Sequence, residues 1–154
     1  MIVPETSTGG DGRFSLDLSA ETDHLDLLVM APGFVFRDLP VVLAKAAELE
    51  VALSQEEGGT LTIGLRKPWP SFEFRDRRPY VLLSDGFMLD LQTLSLWASM
   101  NGVYAEDEPV LSVPLLPSDT YTVCWPVEGT KRETTCKSGF LPIGGRLVMS
   151  VGST

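Results

Sequence analysis

Residues 121–136 read YTVCWPVEGTKRETTC and hold both cysteines of the chain, Cys124 and Cys136. Three chemistries use such a pair. Zinc takes about four Cys or His ligands, but this chain has two Cys and one His, and His24 lies far upstream. A cysteine nucleophile needs a histidine base beside it, and His24, at the head of an alternating stretch, reads as a solvated turn residue. The third use is a staple. A hairpin turning at Gly129-Thr130-Lys131 pairs Glu128 with Arg132, and counting outward sets Cys124 opposite Cys136. Cross-strand partners are close enough to bridge, and a loop of this size contributes on the order of 3 kcal/mol in the chain-entropy model. The disulfide is the expectation; buried free thiols are the alternative.

The remaining chemistry-bearing residues are acidic, aromatic or basic. No G-x-S-x-G, H-E-x-x-H or G-x-x-x-x-G-K-[ST] pattern occurs, so no catalytic residue, metal site or cofactor is assigned. Asp17, Asp26 and Asp90 alternate with apolar residues and read as outward strand positions. The acidic run 106–108 lacks the spacing of a calcium loop. The segment KPWPSFEFRDRRPY (67–80) interleaves Trp69, Phe72 and Tyr80 with Arg75, Arg77 and Arg78. Such a set can stack on sugars or grip an acidic polymer. The preferred reading is a linker whose aromatics plug a gap while its charges stay wet.

The elements that would carry these residues follow a period of two. Phe14, Leu16 and Leu18 alternate, as do Leu25, Leu27 and Val29; Leu49, Val51 and Leu53; and Leu61, Ile63 and Leu65. Val81 and Leu83, Leu89 and Leu91, Val113 and Leu115, Tyr121, Val123 and Trp125, and Leu147, Met149 and Val151 continue the pattern. Alternation places each set on one face of a pleated strand. Glycine- and proline-bearing turns such as GGDG (9–12), APG (31–33), SDG (84–86) and LPSD (116–119) separate the runs. Short strands with regular turns predict an all-β fold of antiparallel Greek-key sandwiches. At most two short helices are expected: one turn in 43–50, and a helix over 93–102 capped by Thr93 and ended by Gly102.

The chain has 154 residues, 44% hydrophobic and 21% charged, which is ordinary globular composition. Its 21 acidic and 12 basic residues give a net charge of -9, a field that repels nucleic acid. No apolar run reaches the roughly 18 residues that would span a bilayer, so membrane insertion is not expected. Residues 66–79 break the alternation, with three prolines and five of the basic residues. They divide the chain into an expected first sandwich (1–66), a linker (67–78) and a second sandwich (79–154). The first residues lack a signal peptide, whereas a disulfide calls for an oxidising compartment. We expect the chain to be a fragment of a longer secreted, periplasmic or surface protein whose natural start lies upstream of Met1.

The stretches TSTGGDGRFSLDL, LDLLVMAPGF, LPVVLAKAAELEVAL and GGTLTIGL together resemble the carboxypeptidase-regulatory-like modules. The family's pattern is a Thr, an Asp-Gly turn, Arg-Phe and a strand, then a second strand ending in Ala-x-Gly-aromatic. Thr8, Asp11, Gly12, Phe14, Ala31, Gly33 and Phe34 match it, over roughly residues 6–66. The family's opening V-x-G-x-V strand is absent, which again points to a fragment. The resemblance implies a transthyretin-like (prealbumin-like) β-sandwich with Phe14 in its core. It also implies a non-catalytic accessory, spacer or adhesion role in a bacterial envelope or secreted protein. Partners would be proteins or cell-surface glycans, with carbohydrate binding through exposed aromatics as the alternative function.

Overall fold

A computed structural model describes residues 6–16, 18, 23–42, 50–54, 57–65, 79–103, 110–127 and 133–151. They form β1 (His24–Val29), β2 (Arg37–Val42), β3 (Gly59–Leu65), β4 (Tyr80–Leu82), β5 (Met88–Asp90), α1 (Leu91–Met100), β6 (Val110–Leu116), β7 (Asp119–Pro126), β8 (Thr134–Leu141) and β9 (Arg146–Val151). The described residues are therefore mostly β with one short helix. β1 and β2 make a two-stranded hairpin; β6-β3-β9 and β5-β4-β7-β8 are the two larger sheets. All pairings are antiparallel except β3 with β9, which is parallel.

Alternation decides which side chains enter the core. Leu61 and Ile63 of β3, Leu111 and Val113 of β6, and Val81, Tyr121 and Val123 of β4 and β7 are essentially inaccessible to solvent. They belong to one apolar cluster that also takes in Leu141, Met149 and the buried face of α1. The expected division lies at 66–79. β3 lies on one side of that segment, yet it is the central strand between β6 and β9, and its side chains share a core with the other sheet. A seven-residue strand cannot bury both its neighbours and its own apolar face alone, so residues on both sides of 67–78 fold together. The segment 67–78 itself lies outside the described residues.

Two alternating runs behave otherwise, and one strand forms without alternation. Phe14, Leu16 and Leu18 form no strand, and Phe14 is exposed rather than core; an Asp11-Gly12 turn precedes them, but no described strand pairs with them. Val51 and Leu53 are likewise half-buried outside any strand. β2 had no alternating signal, since it carries Pro40, yet it pairs along its whole length with β1. Pro is tolerated there because a two-stranded ribbon leaves one edge of each strand unladdered. Its hairpin begins at Ala31-Pro32-Gly33-Phe34, where the Phe34 N–H donates to the Ala31 carbonyl and Gly33 has φ +84°. Pro then Gly at the two central positions is the type II pair.

The helix starts earlier than Thr93. Asp90 ends β5, stays extended, and its carboxylate accepts the Thr93 N–H at 2.6 Å, so Asp90 is the N-cap. Gly102, with φ +78°, follows the last turn as expected. Leu91, Leu94, Trp97 and Ala98 face inward. The Trp97 indole N–H donates to the Pro114 carbonyl at 2.8 Å. That carbonyl is available because β6 is bulged: from Gly59/Leu116 to Leu61/Val113, β3 advances by two residues and β6 by three. Leu115, inside the bulge, has φ +55°, and its own carbonyl accepts the Phe36 N–H. Gly58 passes so close that an added Cβ would sit 2.5 Å from the Leu115 Cα.

Replacing the indole tests this junction. Trp97→Phe keeps a ring in the core but leaves a buried carbonyl without its donor, costing about 1–3 kcal/mol plus a packing contribution. Urea denaturation should show a lower midpoint at unchanged slope. Gly58→Ala should destabilise by a similar route, since Leu115 backbone cannot yield as a flexible side chain would.

Candidate functional site

Two places gather reactive or polar groups: the outer face of the β5-β4-β7-β8 sheet and the junction between the hairpin and the β4–β5 turn. On the sheet, Asp90, Tyr80, Cys124 and Cys136 stand in one cross-strand row, and Met88, Leu82, Thr122 and Ser138 in another. Between them runs the inward row Leu89, Val81, Val123 and Lys137. Period two thus puts both cysteines on the face of the sheet away from the main apolar cluster. They are bonded, with Cα atoms 4.1 Å apart, as the hairpin count predicts for directly opposed residues. The turn pair Glu128 and Arg132 lies outside the described residues. Cys124 is fully covered and Cys136 exposed, so the bridge ties the edge strand β8 to β7 from the solvent side. Beside it, the Thr122 and Ser138 hydroxyls are hydrogen-bonded at 2.7 Å. On the opposite face Lys137 lies 5.9 Å from the Trp125 ring centroid and donates to the Ser150 carbonyl.

Of the expected recognition residues, Tyr80 is half-buried on the outer face beside Cys124. Trp69, Phe72, Arg75 and Arg77, with Arg78, lie outside the described residues, as do Asp17 and the acidic run 106–108. Trp97 and Trp125 are core. Asp26 and Asp90 are exposed at their strand positions, and His24, also exposed, is the first residue of β1. No protein-family model, curated protein or solved structure matches the chain.

The second place had no sequence signal. Asp38 on β2, Asp85 in the β4–β5 turn and Asp119 at the start of β7 come together although they are far apart along the chain. Asp85 and Asp119 stood in recognisable turn stretches, but only the β4–β7 register and the docking of the hairpin bring them to Asp38. Asp85 accepts the Phe87 N–H at 3.0 Å, and Asp119 accepts the Ser84 and Thr120 N–H groups at 3.3 and 2.7 Å. Burial, then a hydrogen bond with Asp85 and its charge, pushes Asp38 up to about 6. Sharing that hydrogen bond holds Asp85 below the usual carboxylate range. Tyr121 is raised by burial and by Asp119 and Asp38, and its hydroxyl donates to the Pro117 carbonyl at 2.7 Å.

Among the described residues, no group of three or more His, Cys, Asp or Glu is placed to hold a metal ion. Burial and the neighbouring Asp85 favour a proton on Asp38.

Stability follows from this. Below the ordinary carboxylate pKa of 3.8 the unfolded chain carries more protons than the folded pair, because Asp85 is lowered. Above 3.8 the folded pair keeps one that the unfolded chain has lost, because Asp38 is raised to about 6. The pair's contribution is therefore greatest near 3.8, declines as pH rises to about 6, and is flat beyond. Denaturation midpoints across this range, for the natural chain and Asp85→Asn, should differ in slope between these values. Separately, Cys136→Ser should lower stability by about 3 kcal/mol.

Proposed function

We propose that this chain is a non-catalytic accessory module of a larger protein that works outside the cytoplasm. The observation that carries the reading is the Cys124–Cys136 bridge across adjacent strands, with Cys136 exposed on an edge strand. Such a bond persists in oxidising compartments and is rare in reducing ones. Its placement suits a spacer or adhesion module: it fixes the edge of a sheet from the face away from the main apolar cluster. No helix of the described residues is long and apolar enough to cross a membrane.

The Greek-key sandwich reading draws support from Tyr121. Its hydroxyl returns to the carbonyl four residues upstream near the start of β7, the arrangement of a tyrosine corner. The carboxypeptidase-regulatory-like reading of residues 6–66 draws on the two left-handed glycines of its motif, Gly12 and Gly33, each in a hydrogen-bonded turn. The module's work is then to present loops on a rigid sheet pair to a protein or glycan partner.

The test is compartment and bond together. In intact cells making the natural full-length protein, a membrane-impermeant reagent should label this module. Intact-mass analysis should show a gain of two hydrogens only after reduction. Protection of the module from the reagent, with both cysteines open to alkylation without reductant, contradicts the reading. On a glycan array, binding lost in Trp69→Ala or Tyr80→Ala would favour carbohydrate recognition instead.

A further inference from the structure

β8 ends the β5-β4-β7-β8 sheet, and its outer side carries no strand among the described residues. The bridge shows which of its backbone groups look outward. Cys124 and Cys136 have Cα atoms 4.1 Å apart, the close spacing of a pair that exchanges no backbone hydrogen bonds. Alternation then gives Thr135, Lys137, Gly139 and Leu141 to the β7 ladder, and the bond from the Val127 N–H to the Glu133 carbonyl falls in the same phase. The N–H and C=O groups of Cys136, Ser138 and Phe140 point away from β7. All three residues are exposed, and among the described residues no backbone partner meets those groups.

The other sheet edges offer less. β6 spends its Pro114 and Leu115 carbonyls on Trp97 and Phe36, Lys137 covers the Ser150 carbonyl of β9, and β5 is three residues long. β8 runs for eight residues, with Phe140 61% exposed near its end. Its only charge is Lys137, in a chain of net charge -9, so two copies meeting here do not meet acid to acid. Lys137 also chooses the alignment. In an antiparallel pair centred on Lys137, two ammonium groups stand directly opposite, which is destabilising. Centred on Gly139, Cys136 faces Pro142, which has no N–H to give. Centred on Ser138, Lys137 faces Gly139, Phe140 faces Cys136, and every outward group of Cys136, Ser138 and Phe140 finds its complement.

We propose that the partner of this edge is a second copy of the chain: β8 pairs antiparallel with β8 about a two-fold axis at Ser138, joining two four-stranded sheets into one. The exposed Phe140 ring of each copy lies over the Cys124–Cys136 bridge of the other. The outer row Asp90, Tyr80, Cys124 and Cys136 thereby continues across the axis.

Sedimentation velocity, paired with amide hydrogen exchange on the whole chain, tests it. As concentration rises, monomer should give way to dimer. The Cys136, Ser138 and Phe140 amides should gain protection, while those of Lys137 and Gly139, already bonded to β7, stay level. Ser138→Pro removes an outward N–H and no β7 bond, so it should abolish the dimer with the bridge and far-ultraviolet dichroism intact. Should that variant not fold, Phe140→Asp, at an exposed position, should weaken association by about tenfold or more. A monomer at every concentration overturns the proposal, whether the edge stays bare or is taken by a different protein. A dimer that leaves those outward amides unprotected, or that persists undiminished in the folded variant, overturns it as well.

Discussion

The bulge at Pro114–Leu115 is the point on which the rest of the fold depends. In a regular antiparallel strand adjacent carbonyls point to opposite edges, so one of these two would be spent on the ladder with β3. The extra residue turns them outward, one to the Trp97 indole and one to the Phe36 backbone. Helix and hairpin are thereby fastened to the same two residues of one strand. The Phe36 ring completes the junction, edge-on to Trp97 with centroids 6.0 Å apart. A left-handed leucine costs about 1–3 kcal/mol. Two hydrogen bonds at about 0.5–1.5 kcal/mol each and an aromatic pair of about 0.5–1.5 kcal/mol offset it.

That junction continues through α1. Asn101 donates to the Trp97 carbonyl and accepts from Gly33, so the helix end, the hairpin turn and the bulged strand form one connected set. The disulfide works at the opposite margin. It joins the buried Cys124 to the exposed Cys136 and secures β8, which among the described residues is an edge strand of its sheet. Core, junction and staple thus divide the labour: burial of apolar rows holds the sheets together, the bulge docks what is not in a sheet, and the bridge restrains an edge.

What could be read from residue order follows how local the cause is. Alternation marked β1, β3, β4, β7 and β9, because period two directly expresses a buried face. The opposition of Cys124 and Cys136 was countable from a hairpin turn. The helix was visible, but its cap was displaced from Thr93 to Asp90 because a strand residue can serve as an N-cap. The same alternation misplaced Phe14, Leu16 and Leu18, since an apolar row becomes a strand only when a neighbour offers a ladder. β2 was hidden by Pro40, and the sharing of one core by β3 and the later strands was hidden because register between distant strands leaves no local mark. The Asp38–Asp85–Asp119 cluster was illegible for that reason too. Trp69, Phe72, Arg75 and Arg77 lie outside the described residues.

The central claim is that the Trp97 indole docks on a bulged β6 and so joins the helix to the core that β3 shares with the second half of the chain. The most direct measurement is NMR of that indole N–H in deuterium oxide. Docked as described, it should exchange as slowly as the β3 and β7 amides and show nuclear Overhauser contacts to Pro114 and Leu115. Exchange at the rate of an exposed indole, with contacts to neither residue, would contradict it.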